Sequence, residues 1–408
     1  MKYGLIGEHL KHSFSKPIHE KLADYDYIIT EIEKDKLDDF MMAKTFECIN
    51  VTIPYKQDVI KHLYTIDEHA KSIGAVNTIV NRDGKLYGYN TDFGGMSKLI
   101  ERNGFDFSGK KIVILGSGGT AKTALAVSKY LAAKQVLVVS RTGETNYETL
   151  YSEHTDADFI INTTPVGMYP NNYASPVDLS KFTNLQGVLD AIYNPLQTKL
   201  CQDAEKLGIK SDCGLYMLVY QAVLACEIFT DSKIDDSKTD EIFNQIISEK
   251  QNIVLTGMPA SGKSTVGAIL AKELGKDFVD TDEMIVENAK MPISEIFKKH
   301  GEKHFRELET DAVKEASKLS STIIATGGGA VLKTENIDAL KMNGKVFFLN
   351  RDLNDLVPTD DRPLGSDFEA LKQRYNERFD IYMASADKEI KVDCDAQGVA
   401  NKIMESIK

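Results

Sequence analysis

One short segment, GMPASGKST at residues 257–265, restricts the fold of this chain more than any other. It follows the strand-like run NIVLT and precedes a helical stretch, which is the context of the phosphate-binding loop G-x-x-x-x-G-K-[ST]. In such a loop the backbone N–H groups surround a phosphate chain, the lysine reaches the β- and γ-phosphates, and the hydroxyl binds Mg²⁺. A turn without a ligand is the structural alternative. The residues predicted to bind ATP are Gly257, Ala260, Ser261, Gly262, Lys263, Ser264 and Thr265.

A second glycine-rich segment, GSGGTAK at residues 116–122, has no lysine directly after its last glycine. It follows the apolar run KIVIL with the spacing G-x-G-x-x-A, which is typical of a dinucleotide-binding turn. The glycines Gly116, Gly118 and Gly119, with Ala121, would let a pyrophosphate approach the N-terminus of the next helix. A plain tight turn is the alternative. Because a dinucleotide transfers no phosphoryl group, backbone donors suffice, and the two loops are predicted to serve different ligands.

The strand after this loop ends in SRT, where an NAD-binding protein usually has an acidic residue. Ser140, Arg141 and Thr142 suit the 2′-phosphate of NADP better than a ribose hydroxyl. The alternative for Arg141 is a solvated surface cation.

The chain of 408 residues is too long for one ordinary core. Short β-rich runs alternate with helical stretches, which predicts an α/β fold with mainly parallel sheets. A polar segment at 229–251 precedes a new strand and marks a domain boundary. We predict a P-loop kinase α/β domain at 250–408 after a two-lobed domain at 1–249. Its substrate lobe comprises about 1–95 and 214–249, and its Rossmann-type NADP lobe about 96–213.

The net charge of −12 argues against a nucleic-acid or anionic-membrane partner, since phosphate surfaces need positive patches. The longest apolar runs have strand length, well short of the ~20 residues of a membrane span. The N-terminus lacks signal-peptide organisation. The five cysteines are scattered, without a C-x-x-C pair, which is typical of a reduced compartment and argues against zinc sites and disulfides. We expect a cytoplasmic monomer or homodimer that acts on small molecules.

Two carboxylates in the run FVDTDEMI, Asp280 and Asp282, stand two residues apart at a predicted strand end. Strand alternation would then place both side chains on one face. Asp282 could accept a hydroxyl proton while Asp280 orders the magnesium shell. The alternative is that both are turn formers.

Further polar groups follow in the second half. Arg306 and Glu309 stand one helical turn apart, either in a site or in a surface salt bridge. Glycines 327–329 end a strand, where a backbone can approach a ligand closely. Arg362 lies in the run DDRPLG, and Arg378 lies one turn before a tyrosine in RFDIYMASA.

The first half carries polar residues in the runs HSFSKPIH, NVTIPYK, GAVNT and GYNTDFGG. Each could be turn chemistry, but together they suit a small polyhydroxylated acid. Hydride arriving at a ketone carbon leaves an oxygen that needs a proton, and a lysine held by an aspartate can supply it. The lysine is Lys56, and its alternative is an exposed ion pair.

The first 250 residues resemble the shikimate dehydrogenase family. The matching motifs, in order, are S-x-S, N-V-T-x-P-x-K, G-A-x-N-T, N-T-D, G-x-G-G-x-A, INTTPVGM, DAIYNPLQTKL and G-x-x-M-L-x-x-Q. The resemblance implies reduction of 3-dehydroshikimate with NADPH, with Lys56 and Asp92 as the catalytic pair. The implied substrate-binding residues are Ser13, Ser15, Thr52, Asn77, Tyr193 and Gln221, and those lining the nicotinamide are Asn162, Thr163, Gly214 and Met217. Lys16 and Ser140 depart from the family pattern.

Residues 251–408 resemble the shikimate kinase family. The resemblance implies that the arginines bind the carboxylate of shikimate by paired guanidinium hydrogen bonds. The implied shikimate-binding residues are Asp282, Arg306, Gly328 and Arg378, with Glu309 beside Arg306. Arg362 would belong to a lid that closes on the transferred phosphoryl group, and Ala384 departs from the family pattern.

Both resemblances together indicate a bifunctional enzyme that makes shikimate with NADPH and phosphorylates it at the 3-hydroxyl with ATP and Mg²⁺. One alternative is a quinate-type dehydrogenase joined to a kinase for another small polyol. A second alternative is a nucleotide-sensing module without catalysis.

Overall fold

The computed structural model describes residues 2–10, 14–356 and 368–407. The chain packs into two compact units, Met1–Gln245 and Ile246–Lys408, and each is described by itself. The α/β class with parallel sheets is confirmed, whereas the domain boundary at residue 250 and the lobe limits stay predictions. The predicted site residues Ser13 and Arg362 lie outside the described residues.

The first lobe of the first unit contains a six-stranded sheet in the order β2-β1-β3-β5-β6-β4. Its strands are β1 Tyr3–Gly7, β2 Tyr27–Glu31, β3 Cys48–Val51, β4 Thr65–Ile66, β5 Thr78–Arg82 and β6 Lys85–Tyr89. Its helices are α1 Ser15–Leu22, α2 Leu37–Ala43, α3 Glu68–Ile73 and α4 Thr91–Arg102. β5 is antiparallel to both β3 and β6. Asp83 and Gly84 (φ 53° and 79°) form the two-residue hairpin turn that joins β5 to β6.

The second lobe contains a fully parallel five-stranded sheet in the order β11-β10-β9-β7-β8. Its strands are β7 Lys111–Leu115, β8 Gln135–Val139, β9 Phe159–Asn162, β10 Gly187–Asp190 and β11 Lys210–Cys213. The helices that follow are α5 Gly119–Tyr130, α6 Tyr147–Glu153, α7 Lys199–Lys206, α8 Leu215–Thr230 and α9 Asp236–Lys250. Residues 112–115 of β7 are fully buried, as expected for a strand covered on both faces.

The second unit also contains a parallel five-stranded sheet, in the order β13-β14-β12-β15-β16. Its strands are β12 Asn252–Thr256, β13 Asp277–Asp280, β14 Thr322–Ala325, β15 Gly344–Asn350 and β16 Lys388–Lys391. Its helices are α10 Lys263–Leu274, α11 Thr281–Ala289, α12 Ile293–Ser317, α13 Thr334–Lys341, α14 Phe368–Ser385 and α15 Ala396–Ile407. In the described ranges of both units, no helix combines the length and apolar character that crossing a membrane requires.

A histidine lies in the core of the first lobe. The His19 ring stacks on Tyr27 with centroids 4.1 Å apart, and its Nδ1 lies 2.7 Å from the Tyr25 hydroxyl. Burial lowers the pKa of His19 to about 3, so the ring is neutral in the folded protein near pH 7.

Candidate active sites

An ammonium and a carboxylate meet at the end of the first sheet. Lys56 follows β3, and Asp92 lies in the first turn of α4, where the helix dipole stabilises an anion. Lys56 Nζ donates to Asp92 Oδ2 at 2.6 Å, and the two side chains are 27% and 17% exposed. The pair is therefore oriented and partly desolvated, and it can still be reached from solvent.

A buried polar network adjoins this pair. Asn77 Nδ2 donates to Thr91 Oγ1 at 3.0 Å, and Asn77 Oδ1 accepts from Thr91 N at 2.8 Å. Thr91 Oγ1 in turn lies 3.4 Å from Gln221 Oε1, to which it donates. The structure thus brings together two predicted substrate residues from distant parts of the chain. Thr91 joins them and was not assigned from the sequence, although it is the threonine of the N-T-D motif.

Three further predicted substrate residues of this half lie at α1, directly after β3 and after the end of β10. Ser15 is the first residue of α1, and both it and Thr52 are half-buried. The Tyr193 ring meets Phe14, the neighbour of Ser15, edge-on with centroids 5.3 Å apart. Burial raises the pKa of Tyr193, so its hydroxyl stays protonated.

The residues predicted to line the nicotinamide lie at or just after the ends of β9 and β11 and in the first turn of α8. Asn162, the last residue of β9, is fully buried, and Thr163 Oγ1 donates to the Leu115 carbonyl at 2.7 Å. Gly214 N donates to the Ile192 carbonyl at 2.8 Å, three residues before Met217 on α8.

The glycines of the dinucleotide loop are needed for two different reasons. Gly116 has φ 107°, and a Cβ there would lie 2.8 Å from Thr163 Oγ1, so the fold itself requires glycine. A Cβ on Gly118 or Gly119 would meet no atom within 4 Å, and Gly118 has an ordinary φ of −79°. The fold leaves open space at these two positions, beside the N-terminus of α5. Residues and space therefore fit a pyrophosphate.

The end of β8 carries the predicted 2′-phosphate residues. Ser140 N donates to the Thr145 carbonyl at 3.1 Å, while Arg141 and Thr142 are exposed. Across the described ranges, Arg141 has no salt bridge, which leaves its guanidinium available to an anion.

The phosphate-binding loop of the second unit surrounds a buried lysine. Lys263 opens α10, is 7% exposed, and donates through Nζ to the carbonyls of Gly257 at 3.0 Å and Met258 at 2.9 Å. Gly257 and Gly262 have φ of 147° and 94°, at which the backbone of a residue with a side chain would be strained. Arg351 Nη1, which the sequence did not single out, lies 3.4 Å from the Ala260 carbonyl, to which it donates.

Asp280 joins this loop to the next helix. Its Oδ2 accepts from Ser264 Oγ at 2.6 Å, and its Oδ1 accepts from Asp282 N at 2.9 Å. The prediction that Asp280 and Asp282 share one face of a strand is wrong. β13 ends at Asp280, which caps α11, so Asp282 lies in the first turn of that helix. A hydroxyl and a carboxylate beside the loop are the oxygen ligands that Mg²⁺ prefers.

Two carboxylates lie beside the glycine run that follows β14. A Cβ on Gly327 would lie 2.5 Å from Asp282 Oδ1 and 2.9 Å from Glu309 Oε1. Glu309 is buried, and its Oε2 accepts from Arg306 Nη1 at 2.7 Å. Burial raises the pKa of Glu309, although the charge of Arg306 opposes this effect.

The second arginine reaches the same glycine run from α14. The Gly328 carbonyl accepts from Arg378 Nη1 at 3.0 Å and from the Tyr382 hydroxyl at 2.5 Å. A Cβ on Gly329 would lie 1.8 Å from Arg306 Nη1. Arg306 and Arg378 therefore both adjoin residues 328–329.

Comparisons with known proteins cover both halves of the chain. Residues 5–79 match the family model of the shikimate dehydrogenase substrate binding domain, and residues 259–408 match that of shikimate kinase. The shikimate dehydrogenase (NADP(+)) of Clostridium perfringens strain SM101 is 38% identical over 266 residues, which cover 60% of this chain and 97% of that protein.

Solved structures give the same result. Shikimate dehydrogenase 1 from Peptoclostridium difficile is 39% identical with a TM-score of 0.55, covering 60% of this chain and 98% of that one. A chorismate mutase/shikimate 5-dehydrogenase fusion protein from Clostridium acetobutylicum is 39% identical with a TM-score of 0.57, covering 60% and 96%. This chain belongs to the shikimate dehydrogenase family over that 60% of its length, and it carries a shikimate kinase domain at residues 259–408.

Proposed function

We propose that the chain reduces 3-dehydroshikimate to shikimate with NADPH and then phosphorylates the 3-hydroxyl of shikimate with ATP and Mg²⁺. Membership of the two families supports both reactions. The observation that carries the proposal is the presence of two different lysine sites in one chain. Lys56 is paired with a carboxylate, and Lys263 is held by the carbonyls of a phosphate-binding loop.

Lys56 is proposed to protonate the substrate oxygen. NADPH, when bound, supplies the hydride. The 2.6 Å bond to Asp92 orients the ammonium group of Lys56 toward the substrate oxygen. Partial burial of the pair limits competition from water.

The ring hydroxyls and the carboxylate of the substrate need fixed polar partners. We assign the hydroxyls to Asn77 and Gln221, whose side chains the Thr91 network holds rigidly. The other proposed substrate residues are Ser13, Ser15, Thr52 and Tyr193.

The cofactor residues are proposed from their local structure. The open backbone at Gly118 and Gly119, at the start of α5, would bind the pyrophosphate. Arg141, with Ser140 and Thr142, would bind the 2′-phosphate. Gly116 and Ala121 shape the loop, and Asn162, Thr163, Gly214 and Met217 line the nicotinamide side.

In the second unit, Lys263 is proposed to bind the β- and γ-phosphates, with the backbone of residues 257–265 around them. Ser264 and Asp280 would hold Mg²⁺, which neutralises phosphate charge when it is bound. Asp282 would accept the proton of the 3-hydroxyl.

The carboxylate of shikimate would pair with Arg306 and Arg378, with Gly328 between them. Glu309 would orient Arg306 through their 2.7 Å bond. Arg362 is proposed to close on the phosphoryl group. We also propose that the protein works in the cytoplasm, where both NADPH and ATP are supplied, as a monomer or homodimer.

One experiment tests the whole proposal. The purified chain is mixed with 3-dehydroshikimate, NADPH, ATP and Mg²⁺, and NADPH absorbance and shikimate 3-phosphate are followed together. We expect both reactions, with shikimate accumulating when ATP is omitted. Faster turnover of quinate than of shikimate, with another polyol phosphorylated, would establish the first alternative. Binding of both nucleotides without turnover would establish a sensing module.

A further inference from the structure

Asp190 occupies the centre of a row of side chains in the second lobe. Asn162, Asp190 and Cys213 end the adjacent parallel strands β9, β10 and β11, and they lie in register. Asp190 is fully buried, and Cys213 beside it is buried with its Sγ 3.3 Å from the Sγ of Cys201.

The carboxylate of Asp190 accepts three hydrogen bonds. Its Oδ1 accepts from Asn162 Nδ2 and from Ile192 N, both at 3.0 Å, and its Oδ2 accepts from Thr198 Oγ1 at 2.8 Å. The donors come from the neighbouring strand, from the turn after β10 and from the residue that caps α7. Three donors on one buried carboxylate fix the relative places of these segments.

Through its hydrogen bond to Asn162, Asp190 also fixes the segment that leads toward the dinucleotide loop. Asn162 Oδ1 accepts from Thr164 N at 3.0 Å, and its Nδ2 lies 3.3 Å from the Val166 carbonyl, to which it donates. Thr163, between Asn162 and Thr164, packs against Gly116. The conformation of residues 162–166 therefore depends on the side chain to which Asn162 is anchored.

Through its hydrogen bond from Ile192 N, Asp190 also fixes the turn that packs next to α8. The Ile192 carbonyl accepts from Gly214 N at 2.8 Å, and a Cβ on Gly214 would lie 2.2 Å from the Ala191 carbonyl. The turn after Asp190 thus packs directly on the residue that precedes α8, the helix of Met217.

Burial raises the pKa of Asp190 to about 6. An ionised carboxylate therefore costs folding free energy near pH 7. An asparagine would fit the same space without that cost.

We propose that Asp190 is a positioning residue of the dehydrogenase reaction, which holds Asn162 and the turn at 191–193 so that the nicotinamide is aligned for hydride transfer. The inference rests on the proposed function, because it assigns a task to a residue that would touch neither substrate nor cofactor. It acts through segments 162–166 and 214–217, which are proposed to line the nicotinamide.

The test uses the full chain with Asp190→Ala, Asp190→Asn and a matched control. The control is Asp158→Ala, because Asp158 also accepts two hydrogen bonds, from Lys111 N at 2.8 Å and Gln186 Nε2 at 2.7 Å. It lies just before β9, at the amino-terminal ends of the strands, whereas Asp190 lies at their carboxyl-terminal ends. Fluorescence titration gives the Kd for NADPH, steady-state assays give both KM values and kcat, and thermal unfolding gives Tm.

Asp190→Ala is expected to raise the Kd for NADPH and lower the kcat of reduction, each by about tenfold or more, because bonds to a charged group are lost. The KM for 3-dehydroshikimate and the phosphorylation of added shikimate should not change. Asp190→Asn should recover NADPH binding, since its Oδ1 still accepts from Asn162 and Ile192. Asp158→Ala should lower Tm without changing the Kd.

An unchanged Kd in Asp190→Ala, or an equal rise in Asp158→Ala, would overturn the inference. If Asp190→Ala does not fold, Thr198→Val removes one donor to Asp190 together with the cap of α7, and it should raise the KM for NADPH about threefold, with the KM for 3-dehydroshikimate constant. Equal changes in both KM values would count against positioning. The wild-type assay separates the two proposals: absence of turnover defeats the proposed function, whereas the Kd comparison still tests Asp190.

Discussion

Lys56 is partly exposed and Lys263 is buried, and their partners also differ. Lys56 faces the carboxylate of Asp92, whereas Lys263 faces the backbone carbonyls of Gly257 and Met258. A carboxylate neutralises an ammonium group and stabilises it between proton transfers. Carbonyl dipoles hold the ammonium in place and leave its net charge available to phosphates. The difference in partners is the basis on which we propose proton transfer for Lys56 and phosphate binding for Lys263.

Replacing the proton-donating lysine tests the first half of this comparison. Lys56→Ala should lower the rate of NADPH oxidation by about 10²–10⁴-fold, because a positioned general acid is lost. ATP-dependent phosphorylation of added shikimate should be unchanged. Lys61→Ala is the matched control, since Lys61 forms an exposed pair with Asp38 at 2.7 Å. A Lys56→Ala enzyme as fast as this control would contradict the proposed role.

Replacing Lys263, the lysine proposed to bind phosphate, tests the other side of this comparison. Lys263→Ala should lower the rate of shikimate phosphorylation by about 10²–10³-fold, as expected when one charge-stabilising donor is removed. NADPH oxidation should be unaffected, and both rates are measured in the same preparation. Lys272→Ala, at the exposed end of the same helix, is the control. Loss of both activities from either lysine change would show that the two units do not work independently.

Substitutions can distinguish the glycine that the fold requires, Gly116, from the glycine that leaves space for a ligand, Gly118. Gly118→Ala should leave Tm unchanged, because its Cβ would meet no protein atom within 4 Å. It should weaken NADPH binding about 10- to 100-fold, since the methyl group fills the space of the ligand. Gly116→Ala should instead lower Tm, given its φ of 107°. A Gly118→Ala protein that binds NADPH normally would exclude this loop from the site.

Arg141 is expected to have the smallest effect. Arg141→Gln should raise the Kd for NADPH about tenfold, by loss of a charge-assisted contact, and leave the weaker binding of NADH unchanged. Arg82→Gln, another exposed arginine of the first unit, is the control. An equal effect on both nucleotides would assign Arg141 a general electrostatic role.

Both phosphate-binding loops could be predicted from the sequence because each depends on neighbouring residues. The strand, the turn and the helix around Gly116 and Gly262 follow from the local pattern of apolar residues and from the glycines that the turns need. Both features can be read directly from the sequence. The pairs Lys56–Asp92 and Arg306–Glu309 were named in advance, and the structure places each in contact.

What the sequence did not reveal depends on contacts between distant residues. Thr91 bonds to Gln221, 130 positions later, and Asp190 bonds to Asn162, 28 positions earlier. Asp280 was misread because a helix cap and a strand end look alike in FVDTDEMI until the next helix is in place. The antiparallel pair β5–β6 does have a local signal in the sequence, because the Asp83–Gly84 dipeptide between the strands favours a hairpin turn.

His19 and Asp190 respond oppositely to acid. Between about pH 3 and 6.5 only the unfolded chain protonates His19, so its contribution to stability falls as the pH falls. Between about pH 4 and 6 only the folded chain protonates Asp190, so its contribution rises as the pH falls. Across the shared range of about pH 4–6 the contributions of these two groups oppose each other. Asp190→Asn removes one of the two contributions. Urea titrations between about pH 4 and 6 should then show the free energy of unfolding of the variant falling with acidification more steeply than that of the wild type, by up to about 1.4 kcal/mol per pH unit.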